Sequence, residues 1–201
     1  MSQALSKPAL AKLRAADWPA VLPRLAFADP AAGLVAKAAD AGAALEALVQ
    51  AGLYTEATKV LAFALPKRES VWWACMCARH TMPATLPEPD RLALEAAEKW
   101  VFKGEEAVRR AAFAYAETAG FGTPEAWAAV GAFWSGDSMA PSGQAAVPPA
   151  PHLSGTAVSG AVLLAAVRDQ PARRPARLTR FVASGREIAD GGSGRIMAED
   201  T

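Results

Sequence analysis

The segment Val71–His80 carries two cysteines and a histidine close together, the side chains with the most distinctive chemistry in this sequence. Thiolate and imidazole groups bind zinc and can also form a nucleophile–base pair. Cys75 and Cys77, however, are separated by one residue, and on a helix they point in different directions. The chain has only two histidines, so a four-ligand site would need Cys75, Cys77, His80 and His152 together. The pattern therefore favours a buried helix over a metal site or a catalytic cysteine, and we expect no metal and no cofactor.

A second segment with candidate chemistry is the Gly-, Pro- and Ser-rich stretch of residues 135–153. It contains Asp137, Ser138 and His152, residue types that serve as acid, nucleophile and base in hydrolases. The stretch lacks the patterns of a nucleophile elbow and of a phosphate-binding loop. A small hydrolase that uses these three residues is therefore kept as an alternative to a binding function.

We predict that the same stretch binds a protein partner by contact. Long loops inside compact domains are often functional, and prolines reduce the entropy that a surface loses when it binds. The loop residues predicted to contact the partner are Trp134, Met139, Pro148, Pro149 and His152. The alternative is a purely structural role, in which the loop only covers the apolar faces of the helices beginning at Thr123 and Ser154.

Arginines are concentrated near the C-terminal end of the sequence, at Arg168, Arg173, Arg174, Arg177, Arg180 and Arg186. A nucleic-acid-binding arm has such a cluster, but it usually accompanies a strongly basic chain with interleaved aromatic residues. A solvated helix face, or a surface for an acidic protein partner, explains the cluster better. The predicted partner contacts from this cluster are Arg173, Arg174 and Arg177.

Composition limits the classes of partner. The 201 residues carry a formal net charge of +1, which gives no general attraction to nucleic acid or to an anionic membrane. The longest apolar run is far shorter than the roughly 20 residues of a membrane-spanning helix. Near-neutral charge also favours self-association, so a homo-oligomer is compatible with the sequence. Two unpaired thiols and no signal-like N-terminus predict a cytoplasmic protein.

Alanine, the best helix former, dominates the sequence, whereas the alternation typical of strands is nearly absent. We therefore predict an all-α fold, an irregular antiparallel stack of seven to nine short helices with one long Pro/Gly-rich loop. In parts of the sequence, short helical patterns and turns alternate as they do in helical repeats, but no fixed period is present. Residues 1–190 should form a single helical domain, and the Gly-rich residues 191–201 a flexible C-terminal tail.

Capping residues and apolar periodicity place the individual helices. Helices are predicted over residues 8–16, 30–41, 67–80, 90–103, 154–167 and 176–189, with others ending at Gly52, Pro66, Gly120 and Trp134. Prolines are expected to break the chain over residues 17–23. Trp72 and Trp73 are predicted core residues, and Trp127 and Trp134 should also point inward. Ion pairs one helical turn apart are expected at Glu95–Lys99, Glu105–Arg109 and Glu106–Arg110.

Several residue strings in combination resemble a bacterial family of unknown function of about this length. The strings are Val71-Trp72-Trp73-Ala74-Cys75, Trp127-x₆-Trp134-Ser135-Gly136, residues 147–153, and Arg180-Phe181 with Gly185. The resemblance covers roughly residues 43–194. It implies a genomic context near type VI secretion genes, beside spike, adaptor and effector-like proteins, and it supplies no catalytic motif.

Together these observations predict a non-enzymatic, protein-binding accessory factor. The resemblance implies an adaptor or chaperone linked to a type VI secretion system, with a spike or effector component as partner. Besides the hydrolase, the remaining alternative is a purely structural helical scaffold inside a larger complex.

Overall fold

The computed structural model describes residues 9–199, and all regular elements in that range are helices. The helices are α1 (Ala11–Arg14), α2 (Trp18–Leu25), α3 (Ala31–Ala36), α4 (Ala41–Gln50), α5 (Tyr54–Ala64), α6 (Lys67–His80), α7 (Glu88–Lys103), α8 (Glu106–Thr118), α9 (Pro124–Phe133), α10 (Leu153–Val167) and α11 (Arg174–Ala189), with a 3₁₀ turn at Pro171–Arg173. The all-α prediction is confirmed. Over the same residues, no helix has the length and apolar character needed to cross a membrane.

Helix α9 lies at the centre of the fold, where it packs against α6, α7, α8 and α10. Small side chains on α9 and α10 let the two backbones approach closely. A methyl group on Gly131 of α9 would lie 3.1 Å from the Val158 side chain of α10. Because these two helices are apolar on most sides, their burial supplies much of the hydrophobic core.

The two adjacent tryptophans of α6 have different environments. Trp73 is fully buried, as predicted, and its Nε1 donates to the carbonyl oxygen of Phe181 at 2.8 Å. Trp72 is only half-buried, because it lies at the edge of the core with its ring edge-on to the exposed Phe102. The prediction that both rings are core residues is therefore correct for Trp73 alone.

Local signals locate several helix ends correctly. Helix α6 has the predicted bounds of residues 67–80, directly after Pro66. The Thr123 hydroxyl accepts a hydrogen bond from the Ala126 N–H at 3.2 Å and caps α9, which begins at Pro124 as predicted. Trp127 and Trp134, expected to point inward from this helix, are half-buried.

The N-terminal third differs from the prediction at two places. Residues 18–25 form a helix rather than a break, because the Asp17 carboxylate caps it and Pro19 lies in its first turn, where a proline is tolerated. The helix predicted over residues 30–41 is shorter than expected and ends at Ala36. The Asp40 carboxylate accepts from the Ala43 N–H at 2.8 Å and caps the next helix, α4. Residues 1–8, which include the predicted start of the first helix, lie outside the described residues.

One of the three predicted ion pairs forms as expected, between Glu106 and Arg110 at 2.7 Å. Glu95 pairs instead with Arg91 on the preceding turn of α7. Arg109 turns inward and also pairs with Glu106. The reason is tertiary, because Arg109 lies on the buried face of α8, where the carbonyl oxygens of Phe133 and Ser138 also accept its hydrogen bonds.

The residues after α11 pack against the domain up to Glu199, whereas the sequence predicts a flexible tail for residues 191–201. We call Ser193–Glu199 the strap. Within it Gly194 is buried and Ile196 packs against the hydrophobic core. Gly194 has a φ of 61°, a backbone conformation that glycine adopts without strain. Residues 200 and 201 lie outside the described residues.

Candidate functional site: a groove beneath the long loop

The long loop, residues 134–152, joins α9 to α10 and closes one side of a surface groove. We call this the loop groove. Its apolar lining consists of Phe113, Ala114, Phe133, Trp134, Met139 and Pro141, and its volume is about 370 Å³. Trp134 and Met139, two of the predicted partner contacts, thus lie in one groove together with aromatic side chains of α8 and α9.

Helix α8 forms the opposite side of the groove and sets its length and charge. Arg110, Phe113, Ala114 and Glu117 have the i, i+3, i+4, i+7 spacing of one helix face. Seven residues of helix span about 10 Å, so the apolar stretch between Arg110 and Glu117 has room for a short segment. Arg110 is paired with Glu106, whereas Glu117 is exposed and makes no ion pair within residues 9–199.

The loop is held in place by Arg109, which is 2 % exposed. Its guanidinium donates to the carbonyl oxygens of Phe133 and of Ser138, the latter at 2.6 Å, and pairs with the Glu106 carboxylate. It also lies 4.7 Å from the centroid of the Phe133 ring, within cation–π range. Gly136 passes so close to Arg109 that a methyl group on this glycine would overlap the guanidinium.

Hydrogen bonds inside the loop complete this arrangement. The Ser138 hydroxyl accepts from the N–H groups of Ala140 and Val147, and the Met139 N–H donates to the carbonyl of Val147 at 2.8 Å. The chain therefore doubles back between residues 138 and 147. This geometry fixes the backbone of Met139 beside the groove.

The other loop residues predicted to contact a partner do not line the groove. Pro148 is exposed and Pro149 is half-buried. His152 stands directly before α10, where its carbonyl accepts from the Thr156 N–H at 2.9 Å. Its Nδ1 is buried and has no hydrogen-bond partner among the described residues. The predicted loop contacts are thus divided in space, and among them only Trp134 and Met139 line the groove.

The residues of the hydrolase alternative are not arranged as a catalytic set. Within the described part of the chain, no hydrogen bond joins Asp137, Ser138 or His152 to one another. The Ser138 hydroxyl already accepts two backbone N–H groups, a role in loop structure. Asp137 is exposed.

The arginine cluster does not form one exposed surface. Arg177, a predicted partner contact, is 4 % exposed, because its guanidinium binds Glu199 and the carbonyls of Ala166 and Arg168. Arg177 therefore lies inside the fold and not on the exposed surface that the sequence predicts. Arg173 contacts the same carboxylate at 3.3 Å.

Three further arginines of this cluster contact separate helices. Arg174 is exposed and donates to the Thr55 hydroxyl of α5. Arg168 pairs with the fully buried Glu125 of α9, and Arg186 pairs with Glu46 of α4. Packing of α11 and its preceding joint on these helices divides the cluster into several local contacts.

The thiols of α6 are buried and lack the environment of a nucleophile. Burial raises the pKa of Cys75 well above its ordinary value, and the Glu98 carboxylate raises it further. Burial likewise raises the pKa of Cys77. Both groups are therefore thiols at neutral pH. Across residues 9–199, no three His, Cys, Asp or Glu side chains come together as metal ligands do.

Comparison with known protein families gives one match. Residues 44–189, more than half of the chain, match a family of unknown function, DUF6931. The chain belongs to this family. No curated protein and no solved structure matches it significantly. The expected membership of a family of unknown function is therefore confirmed.

The DUF6931 region contains α5 to α11 and the long loop, and hence every residue that lines the loop groove. It also contains Arg109, for which the sequence predicts an ion pair with Glu105. A local signal for its inward position is weak, because its acceptors lie 24 and 29 residues further along the chain. The match ends at residue 189, before the strap begins.

Proposed function

We propose that this DUF6931 protein is a non-enzymatic accessory factor whose loop groove binds an apolar segment of a protein partner. The observation that carries the proposal is the joint lining of one groove by Phe113, Phe133, Trp134 and Met139. Aromatic side chains and methionine are enriched at the centres of protein–protein interfaces. Because Arg109 fixes the loop in advance, little conformational entropy is lost when a partner binds.

Charge at the groove suggests the sequence of the partner segment. Glu117, at one end of the apolar stretch, has no ion-pair partner within residues 9–199, whereas Arg110 at the other end is already paired with Glu106. An apolar segment followed by lysine or arginine would complement this arrangement. The finer part of the proposal is that the segment belongs to a type VI secretion component, with the protein as its adaptor or chaperone. That part is supported only by the resemblance of the sequence to a family encoded near such genes.

Affinity capture from the native cell, followed by mass spectrometry, tests the proposal with a matched pair of loop variants. Met139→Glu places a charge in the groove, whereas Val147→Glu makes a similar change at an exposed position of the same loop outside the groove lining. We expect Met139→Glu to lose captured proteins that the wild type and Val147→Glu retain, at an unchanged melting temperature. Retention of the same proteins by folded Met139→Glu would reject the groove as the binding surface.

A second pair of variants tests the electrostatic part. Glu117→Lys reverses the charge at the groove, and Glu88→Lys makes the same change on the exposed first turn of α7. Only the first should weaken capture, and the effect should diminish at high salt. If the proteins lost on groove mutation include no secretion component, the secretion role fails while the binding function stands.

A further inference from the structure

The strap lies on the domain as a segment without regular secondary structure, and buried or half-buried side chains hold its backbone. The Nε1 of Trp72 donates to the carbonyl of Ser193 at 2.7 Å. The Ser184 hydroxyl of α11 donates to the carbonyl of Gly194. Both contacts use backbone oxygens of the strap, and the second requires glycine at position 194, where a methyl group would overlap Ile188.

His80, at the end of α6, makes two contacts with the strap. Its Nδ1 donates to the carbonyl of Met197, and its own carbonyl accepts the N–H of Glu199 at 2.8 Å. A carbonyl oxygen can only accept, so Nδ1 carries the proton. Nε2 faces Arg180 at 3.4 Å and serves as the acceptor there. The Met197 side chain itself is 88 % exposed and contributes little to the attachment.

The Glu199 carboxylate provides the charged side-chain contact of the strap. It accepts hydrogen bonds from the Nε and Nη2 of Arg177, at 3.0 and 2.6 Å, and pairs with Arg173. These hydrogen bonds, with that of Arg177 dominant, lower the pKa of Glu199. Paired arginine donors around one carboxylate are a common means of recognising acidic groups.

The strap does not fill the space around its anchor. A cavity of about 130 Å³ remains beside Glu199, with Thr81, Asp169, Gln170, Arg173 and Arg177 in its lining. All the domain residues that hold the strap lie within the DUF6931 region, whereas the strap lies outside it. The domain therefore supplies a groove, and a segment that is separate from the family region occupies it.

We propose that this strap groove is a binding site for an acidic peptide segment of a protein partner, and that the strap occupies it in cis. Three features support an exchangeable occupant. Most contacts are to backbone atoms, one carboxylate supplies the charged anchor, and space remains beside it for a larger side chain. This binding mode, an extended peptide held along its backbone with a charged anchor, recurs among peptide-recognition domains. The proposal is independent of the loop groove and goes beyond the function proposed above.

A fluorescence polarisation experiment on the full chain tests the proposal. The probe is a fluorescein-labelled peptide with the sequence of residues 191–201. In the wild type the tethered strap competes at an effective concentration of about millimolar, so the probe should bind weakly. Glu199→Lys places a cation against Arg173 and Arg177, which should release the strap and increase probe affinity by about tenfold or more. Glu88→Lys, the same charge change on an exposed turn, should bind the probe no better than the wild type.

A second variant and a second peptide keep the result decisive. Gly194→Ala leaves every groove residue unchanged but would make the new methyl group overlap Ile188, so it too should increase probe binding. A probe with lysine in place of its glutamate should not bind either variant. The proposal is overturned if both variants keep the wild-type helical circular dichroism but bind no more probe than the wild type. It is also overturned if the lysine-containing probe binds equally well.

Discussion

The long loop and the strap are both irregular segments fastened by a buried arginine, but the acceptors differ. Arg109 holds the loop through the carbonyl oxygens of Phe133 and Ser138, and its acidic partner, Glu106, lies on its own helix. Arg177 holds the strap through the carboxylate of Glu199, a residue of the strap itself. Both segments are thus held through their backbones, and the strap has in addition one ionisable side chain, Glu199, as an anchor. The first attachment suits a permanent wall of a groove, and the second suits a segment that can be exchanged.

The largest expected effect is that of Arg109→Ala. It removes hydrogen bonds from a charged donor and leaves two carbonyl oxygens without that partner, which should cost about 3 kcal/mol in the free energy of unfolding. Arg110→Ala, one residue away and 29 % exposed, should cost less than about 1 kcal/mol. Chemical denaturation of both variants gives the difference. Equal losses would contradict the assignment of Arg109 as the anchor of the loop.

Gly136→Ala tests the same anchor from the side of the loop. The added methyl group would overlap the Arg109 guanidinium, and the strain should destabilise the protein by about 2 kcal/mol. Gly122→Ala is the control, because a methyl group there meets no atom within 4 Å. Thermal unfolding of the pair should show a lower melting temperature for Gly136→Ala only. An unchanged melting temperature would mean that the loop and Arg109 can separate without cost.

Glu199→Gln should lower the free energy of unfolding by about 1–2 kcal/mol at neutral pH, since it removes the charge from a hydrogen-bonded pair. Arg177 lowers the pKa of Glu199 from its ordinary value of 4.5. A lowered folded-state pKa stabilises the protein above the unfolded-state pKa, and this stabilisation is lost as the pH falls toward the folded-state value. The difference between wild type and variant should therefore shrink below about pH 4.5.

Two outcomes would contradict the expectation for Glu199. One is a wild-type advantage that stays constant from pH 7 down to pH 3. The other is an equal loss in Glu95→Gln, whose exposed pair with Arg91 should contribute less than about 1 kcal/mol.

The smallest expected effect is that of Trp72→Phe, which removes the Nε1 donor to Ser193 but keeps an aromatic ring beside Phe102. The loss should be about 1 kcal/mol. Trp127→Phe removes a similar hydrogen bond, to the carbonyl of Phe121, far from the strap in sequence. Hydrogen exchange should accelerate in residues 193–199 for Trp72→Phe alone. Acceleration in both variants would indicate a general loss of stability instead of a local release of the strap.

Sequence signals predicted the helical class and several helix ends because those signals act over a few residues. Thr123 caps α9 through an N–H three positions away, and Pro66 precedes α6. The same reasoning failed over residues 18–25, where two prolines were interpreted as breaks although Asp17 begins a helix there. The composition of the long loop also predicts Trp134 and Met139 as partner contacts. It gives no sign of Phe113, which lines the same groove from α8.

Sequence alone determined the elements whose causes are local: alanine-rich helices, their caps, and one long proline-rich interruption. Only the tertiary structure decided which irregular segments are held and what they enclose. The Gly-rich sequence around Ser193 indicates flexibility. The Ser193 carbonyl nevertheless accepts a hydrogen bond from Trp72, which lies 121 positions earlier in the chain. From residue type alone, Arg109 and Arg177 would be assigned to the surface. In the folded chain, both bind acceptors that are distant in the sequence. A buried charge is stable only where several partners converge, and that convergence is a property of the folded chain.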